Sequence, residues 1–178
     1  MIWRLDAALA RLQQWDELVC VRVNRGARQR ALVVALRAVS WLGNGLFWYA
    51  LMLTLLLADA RGAALPVLHM VFVGAVCTCC YKMVKHSTVR SRPYQVNPLV
   101  SAGATVLDRF SFPSGHTLHA IAFSLVAGSY YPGLWVVLAP FTLVTAVSRV
   151  ALGLHYPSDV IAGGALGALI AGASFLFA

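Results

Sequence analysis

Where charge is missing constrains this chain more than any other property. Stretches at 46–58, 65–81, 114–131, 134–149 and 158–177 are almost wholly apolar, while twelve of the fourteen Lys and Arg residues fall within 1–30 or 82–149. The exceptions are Arg37 and Arg61. Hydrophobic residues make up 60 % and charged ones 11 %, with a mean hydropathy of +0.76, against about 25 % charged in an ordinary globular domain. Such runs read as membrane helices, whose backbone satisfies its own hydrogen bonds. Charge within hydrocarbon is costly, so the net +8 must gather outside the spans. It suits anionic headgroups or a phosphorylated substrate, and the apolar bundle argues against nucleic acid.

At 178 residues there is room for one domain. Residues 2–24 repeat apolar side chains at three-to-four spacing with Arg and Asp between, which predicts an interfacial amphipathic helix with Trp3 and Trp15 at headgroup level. Residues 31–42 predict a second interfacial or partly inserted helix, broken by Gly43-Asn44-Gly45 from a first span at 46–58. Spans follow at 65–81, 114–131, 134–149 and from Ser158 or Asp159 to Phe177, the last carrying Gly163, Gly164, Gly167 and Gly172 for close helix packing. The expected fold is therefore all-α, an integral membrane bundle of five to six transmembrane helices with interfacial helices before it. Residues 1–42 are expected to form the interfacial part and 46–178 the main bundle of a single domain. Residues 1–30 lack an apolar signal core, so no cleavable leader is expected. Cys20, Cys77, Cys79 and Cys80 show neither a disulfide framework nor zinc spacing, and packing accounts for them. His69 reads as a satisfied bundle histidine.

Counting crossings brings three polar clusters to one face. The first is Lys85-His86-Ser87-Thr88-Val89-Arg90-Ser91-Arg92-Pro93, after the second span. The second is Pro113-Ser114-Gly115-His116, before the third. The third runs from Ser148-Arg149 to His155-Tyr156-Pro157-Ser158-Asp159, between the fourth and fifth. Pro113 and Ser114 read as a helix start, Gly115 lets an anion approach the open N–H groups, and His116 stands at that mouth.

These clusters resemble the tripartite signature of the type 2 phosphatidic acid phosphatase family, Lys-x6-Arg-Pro, Pro-Ser-Gly-His and Ser-Arg-x5-His-x3-Asp, matched here at every position and in order. The resemblance implies a metal-independent lipid phosphatase that needs no cofactor. The chemistry of the residues agrees. Lys85, Arg92 and Arg149 supply fixed cations for a phosphate dianion, with the Ser114 hydroxyl and Gly115 N–H completing the cradle. His155 is the expected nucleophile, Asp159 its orienting acid one helical turn on, and His116 the proton donor to the leaving oxygen. With His155 neutral and His116 protonated, a bell-shaped pH profile is expected. No metal is implied, since these cations fill the role of a divalent ion. His86, Lys82, Arg90 and His119 read as structural or solvated.

Substrates implied by the resemblance include undecaprenyl pyrophosphate, phosphatidylglycerol phosphate, phosphatidate and lipid A phosphates. The partners expected are the bilayer and its phosphorylated lipids, in a bacterial inner membrane with the site facing the periplasm or exterior. Two other readings compete. A vanadate-dependent haloperoxidase shares this pocket type, but those relatives are soluble and larger. A phospholipid-binding or transporting bundle would have no need of His116 or the His155–Asp159 pair.

Overall fold

A computed structural model describes residues 2–106 and 108–177, with side chains from Asp6 onward within that range. Trp3 is thus outside the described side chains. All regular structure among the described residues is helical. In chain order the helices are α1 (Ile2–Gly26), α2 (Arg30–Leu42), α3 (Leu46–Ala58), α4 (Ala64–Thr88), the single turn α5 (Pro93–Val96), α6 (Gly115–Tyr130), α7 (Trp135–Ala151) and α8 (Pro157–Ser174). A 3₁₀ turn, Pro132–Leu134, joins α6 to α7.

Two stretches, Ala64–Val96 and Pro132–Ala151, are long and apolar enough to cross a membrane. A third forms only if α2 and α3 count as one broken span, bent by 55° at Gly43–Asn44–Gly45. Helix α6 has 16 residues and α8 has 18, so at about 1.5 Å per residue α6 is near 24 Å long, short of a bilayer core of about 30 Å. The expected five to six spans are thus not all carried by helix length.

Helix α6 is the hub, packed against α4, α7 and above all α8. Trp48, Met70, Leu118, Phe123, Val126 and Leu138 fill the core around it. Leu53, Leu57, Leu68, Phe72, Val136, Leu143 and Leu169 point outward. A bundle apolar outside as well as inside belongs in hydrocarbon.

Of the four glycines singled out in α8, two permit the close packing. A Cβ on Gly163 would meet the Ser114 carbonyl oxygen at 2.5 Å, and one on Gly167 would collide with the Leu118 carbonyl. Gly164 has only ordinary contacts at 3.7 Å, and Gly172 faces open space. Pro140 lies inside α7 without ending it. His69 is satisfied at both ring nitrogens, by the Tyr130 hydroxyl (3.1 Å) and the Ser174 hydroxyl (2.7 Å). All four cysteines are free, Cys20 and Cys77 buried.

Helix α1 carries contacts that its periodicity does not announce. Its apolar residues Leu9, Leu12, Trp15 and Leu18 are exposed, whereas Asp16, Cys20 and Asn24, spaced four apart on one face, are buried against the bundle. The helix is amphipathic as its periodicity implies, but a polar stripe holds it to the protein.

Candidate active site

A cavity of about 590 Å³ opens between α3, α4 and α6. Its polar end is lined by Lys85, Arg92, Asp108, Gly115, His116, Arg149 and His155. Its other walls are mainly apolar, with Trp48, Tyr49, Met52, Val71 and Phe123. The three clusters, whose lining residues are up to 70 positions apart in the chain (Lys85 to His155), therefore meet at one end of a mixed cavity.

Local structure aims each of these groups. Lys85 closes the last turns of α4, 7 % exposed. Arg92 is 2 % exposed and donates from Nη1 to the Leu154 carbonyl (2.7 Å). Arg149, at the end of α7 and 4 % exposed, donates to the Ser40 hydroxyl of α2, while its Nε has no partner. The backbone then turns sharply, with Leu154 N–H and His155 N–H both donating to the Arg149 carbonyl. Gly153 makes that turn possible at φ +70°, where a Cβ would also strike Val100 and the Ser101 carbonyl.

His155 is buried between two charged groups. Its Nε2 lies 3.3 Å from Arg92 Nη1, and its Nδ1 lies 3.6 Å from Asp159 Oδ2. A guanidinium can only donate, so Nε2 presents a lone pair and the ring proton sits on Nδ1, toward the carboxylate. Burial, and then Arg149, Arg92 and Lys85, push the imidazole well below its ordinary range, so it is neutral. Asp159 does not line the cavity. Fully buried behind His155, it accepts from Tyr156 N–H (2.8 Å) and from Arg90 Nη1 (2.6 Å).

Ser114 also stays out of the cavity, contrary to the expectation that its hydroxyl completes the cradle. It is the N-cap of α6, its side chain turned to Thr117 (Oγ to Oγ1, 3.0 Å), and its own N–H donates to the Asp159 carbonyl (3.0 Å). That bond ties the start of α6 to the start of α8, and with it His116 to His155. His116 lines the cavity with Nε2 unpartnered. His119 also lines it, but both its nitrogens are used, by the Gly115 carbonyl (2.8 Å) and the Thr78 hydroxyl (3.1 Å). The structural reading of His119 therefore stands.

Two residues in or beside this site carried no sequence signal. Asp108, in the loop before α6, pairs through Oδ1 with Lys85 Nζ (2.8 Å) and Arg92 Nη2 (2.6 Å). Burial would raise its carboxyl, but the Lys85 and Arg92 partners outweigh that and hold it below the usual carboxylate range. Two of the three cradle cations thus share this carboxylate. Arg90, read from sequence as a bystander, bridges Asp159 to Asp16 of α1 (2.6 and 2.7 Å). Asp108 lies outside the three clusters and Arg90 at one of the unspecified positions between Lys85 and Arg92, so only the fold reveals their partners.

With three cations against one carboxylate, plus an unpartnered Arg149 Nε and His116 Nε2, the cavity's polar end is built for a multivalent oxyanion. Asp108 must then compete with that anion. Asp108→Asn is expected to tighten inorganic phosphate binding by about fivefold in titration calorimetry, since a partly exposed pair contributes about 1 kcal/mol. Weaker binding in this variant would instead make Asp108 a support for the cations. Among the described residues no group of three or more His, Cys, Asp or Glu side chains converges as a metal site would require.

A sequence model of the PAP2 superfamily matches residues 66–178. Decaprenylphosphoryl-5-phosphoribose phosphatase of Mycobacterium tuberculosis is 39 % identical over 90 residues, covering 49 % of this chain and 48 % of that protein. Phosphatidylglycerophosphatase B of Bacillus subtilis is 32 % identical over 100 residues, covering 50 % and 46 %. The matched region thus spans about half the length of these curated relatives. Among solved structures, the transmembrane PAP2-type phosphatidylglycerolphosphate phosphatase of Bacillus subtilis superposes with a TM-score of 0.77 at 23 % identity, over 99 % of this chain and 92 % of that one. Aquifex aeolicus LpxE gives 0.76 at 21 %, over 89 % and 93 %. At such identities the likeness is one of fold.

Proposed function

Since the chain belongs to the PAP2 superfamily, we propose that it is a lipid phosphatase, cleaving a phosphomonoester or pyrophosphate through a phosphohistidine at His155. The observation that carries this reading is the placement of the buried His155 imidazole, with Nε2 beside Arg92 and Nδ1 toward Asp159. A cavity that merely bound phosphate would gain nothing from an uncharged, oriented nucleophile among its cations.

In this mechanism the substrate phosphate displaces Asp108 and lies against Lys85, Arg92 and Arg149, with the Gly115 N–H beside it. His155 Nε2 attacks phosphorus in line. The N–P bond forms as the bond to the leaving oxygen breaks, and His116 gives that oxygen its proton. Asp159 stabilises the charged ring. His116, now neutral, takes a proton from water, whose oxygen attacks phosphorus; the N–P bond breaks, inorganic phosphate departs and His155 is restored. Ser114 acts from behind, by capping α6. The electrostatic work falls to fixed side-chain cations.

The apolar walls beside the cradle suit a lipid tail, with the cleaved phosphate at the polar end. Undecaprenyl pyrophosphate, phosphatidylglycerol phosphate and phosphatidate all fit that description. In this reading α6 and α8 span with their flanking residues, the α2–α3 pair forms one broken span, and residues 1–178 are a single phosphatase domain. The site faces the exterior of a bacterial inner membrane.

The test is phosphate release by the purified full chain in detergent from a panel of these lipids. No release from any of them overturns the proposal. The same assay reads His155. Its depressed pKa removes it from titration near 6.5, so the acid limb of kcat/KM should follow the substrate's own second ionisation, near about 6. A substrate with a lower second pKa should carry the limb down with it. A limb fixed near 6.5 for every substrate would show a normally titrating His155.

A further inference from the structure

Behind His155 lies a buried charge cluster that the chemistry above leaves unused. Asp16, fully buried on α1, accepts from Arg90 Nη2 (2.7 Å) and from the Ser158 N–H (2.9 Å), and the Ser158 hydroxyl donates to it as well. Arg90 Nη1 reaches Ser158 Oγ (2.8 Å) and Asp159 Oδ1 (2.6 Å), with the guanidinium 4.2 Å over the Tyr156 ring. Two turns along α1, Asn24 donates to the Ala151 carbonyl (2.9 Å) and the Ser101 carbonyl (3.0 Å) and accepts from the Ser101 N–H (3.0 Å). Helix α1 thus grips both ends of the segment that carries His155, at Ala151 and at Ser158.

Interfacial anchoring alone does not account for this. An anchor helix would turn Leu9, Leu12, Trp15 and Leu18 to lipid, as α1 does, but has no need of a buried carboxylate. A buried carboxylate is costly unless paired, so Asp16 and Asp159 each depend on the one guanidinium between them. Arg90 occupies the Asp159 oxygen remote from the imidazole, while Oδ2, which accepts from the Tyr156 N–H, faces His155 Nδ1 at 3.6 Å.

We propose that α1 is part of the catalytic apparatus, with Asp16 and Arg90 as positioning residues that hold Asp159, and through it the aim and tautomer of His155. This rests on the phosphatase reading. Neither residue lines the cavity, so the cradle of Lys85, Arg92 and Arg149 does not depend on them.

The experiment compares full-length wild type with Asp16→Asn, Arg90→Gln, Arg90→Lys and the Asp16→Asn/Arg90→Gln double variant. It measures kcat and KM on a lipid phosphate that the wild type hydrolyses, inhibition by inorganic phosphate, and the melting temperature in detergent. Loss of a partner that orients a reacting group costs on the order of 10- to 100-fold. Asp16→Asn and Arg90→Gln should each lose about that much in kcat, with KM and phosphate inhibition within about twofold of wild type. The double variant should be little worse than the poorer single one, because the two act as one unit. Arg90→Lys, which keeps a cation, should recover part of the loss and stays interpretable if the Gln variant does not fold. Unchanged kcat in Asp16→Asn overturns the inference, as do multiplicative losses in the double variant. So does a loss of kcat matched in every variant by KM and melting temperature. An inactive wild type overturns the phosphatase reading and this inference together, whereas an active wild type equalled by Asp16→Asn overturns this inference alone.

Discussion

His155→Ala is expected to reduce phosphate release by about 10⁴-fold or more, on the scale seen when the nucleophile of a covalent mechanism is removed. The magnitude follows from the arrangement of the ring. The other cavity groups bind and polarise phosphate, but among the proposed site residues only His155 Nε2 has a lone pair held next to Arg92 and aimed at the cradle. Alanine leaves the three cations in place, so inorganic phosphate should bind to the variant with roughly wild-type affinity while turnover vanishes. Arg61→Ala is the control. Arg61 lies in the exposed α3–α4 loop, away from the cavity, and its loss should leave kcat within about twofold. Near-normal turnover in the His155 variant would remove the nucleophile from the mechanism. Lost phosphate binding would make His155 a binding group instead.

The second large effect concerns a residue with no side chain. Gly163→Val should both unfold the bundle at lower temperature and abolish activity. Its Cβ would sit 2.5 Å from the Ser114 carbonyl oxygen, a backbone atom that no rotamer change can move aside. Over-packing a well-filled site costs about 1–3 kcal/mol, and a backbone clash at the most extensive helix contact of the fold belongs at the upper end. Activity should fall further than stability alone requires. Ser114 is the residue that caps α6 and bonds Asp159, so any yielding here moves His116 relative to His155. Displacements near 1 Å cost on the order of 100-fold in rate. Gly172→Val is the matched control on the same helix, facing open space, and should change neither melting temperature nor kcat appreciably. Equal behaviour of the two variants in thermal unfolding and phosphate release would mean that α8 does not need the close approach at Gly163.

How much of this was legible in the chain depends on the range of the interaction involved. Helices 4, 6, 7 and 8 follow from apolar runs ended by Pro, Gly and charge, which are local signals. The break at Gly43–Asn44–Gly45 was legible too, because two glycines flank it, though its 55° bend was not. The Ser114 cap was visible as a residue preference; that its hydroxyl thereby turns away from the cavity was not. Helix 1 was legible only in part, for a specific reason. Periodicity finds the apolar stripe, and the usual inference sets that stripe against the protein or the membrane without saying which. Here the outward side chains are Leu9, Leu12, Trp15 and Leu18, and the stripe that docks is Asp16, Cys20 and Asn24.

The sequence by itself determined an apolar helical bundle and three motifs with the composition of a phosphate site, because segment hydropathy and motif spacing are properties of neighbouring residues. Only the tertiary structure decided which groups face the cavity and which stand behind it. It set Asp108 between Lys85 and Arg92, set Asp159 and Ser114 behind the cavity wall, and drew Arg90 and Asp16 together across 74 positions. The physical reason is that a charge buried in a bundle must find an opposite charge wherever the packing brings one near, and that partner bears no fixed relation to its place in the chain.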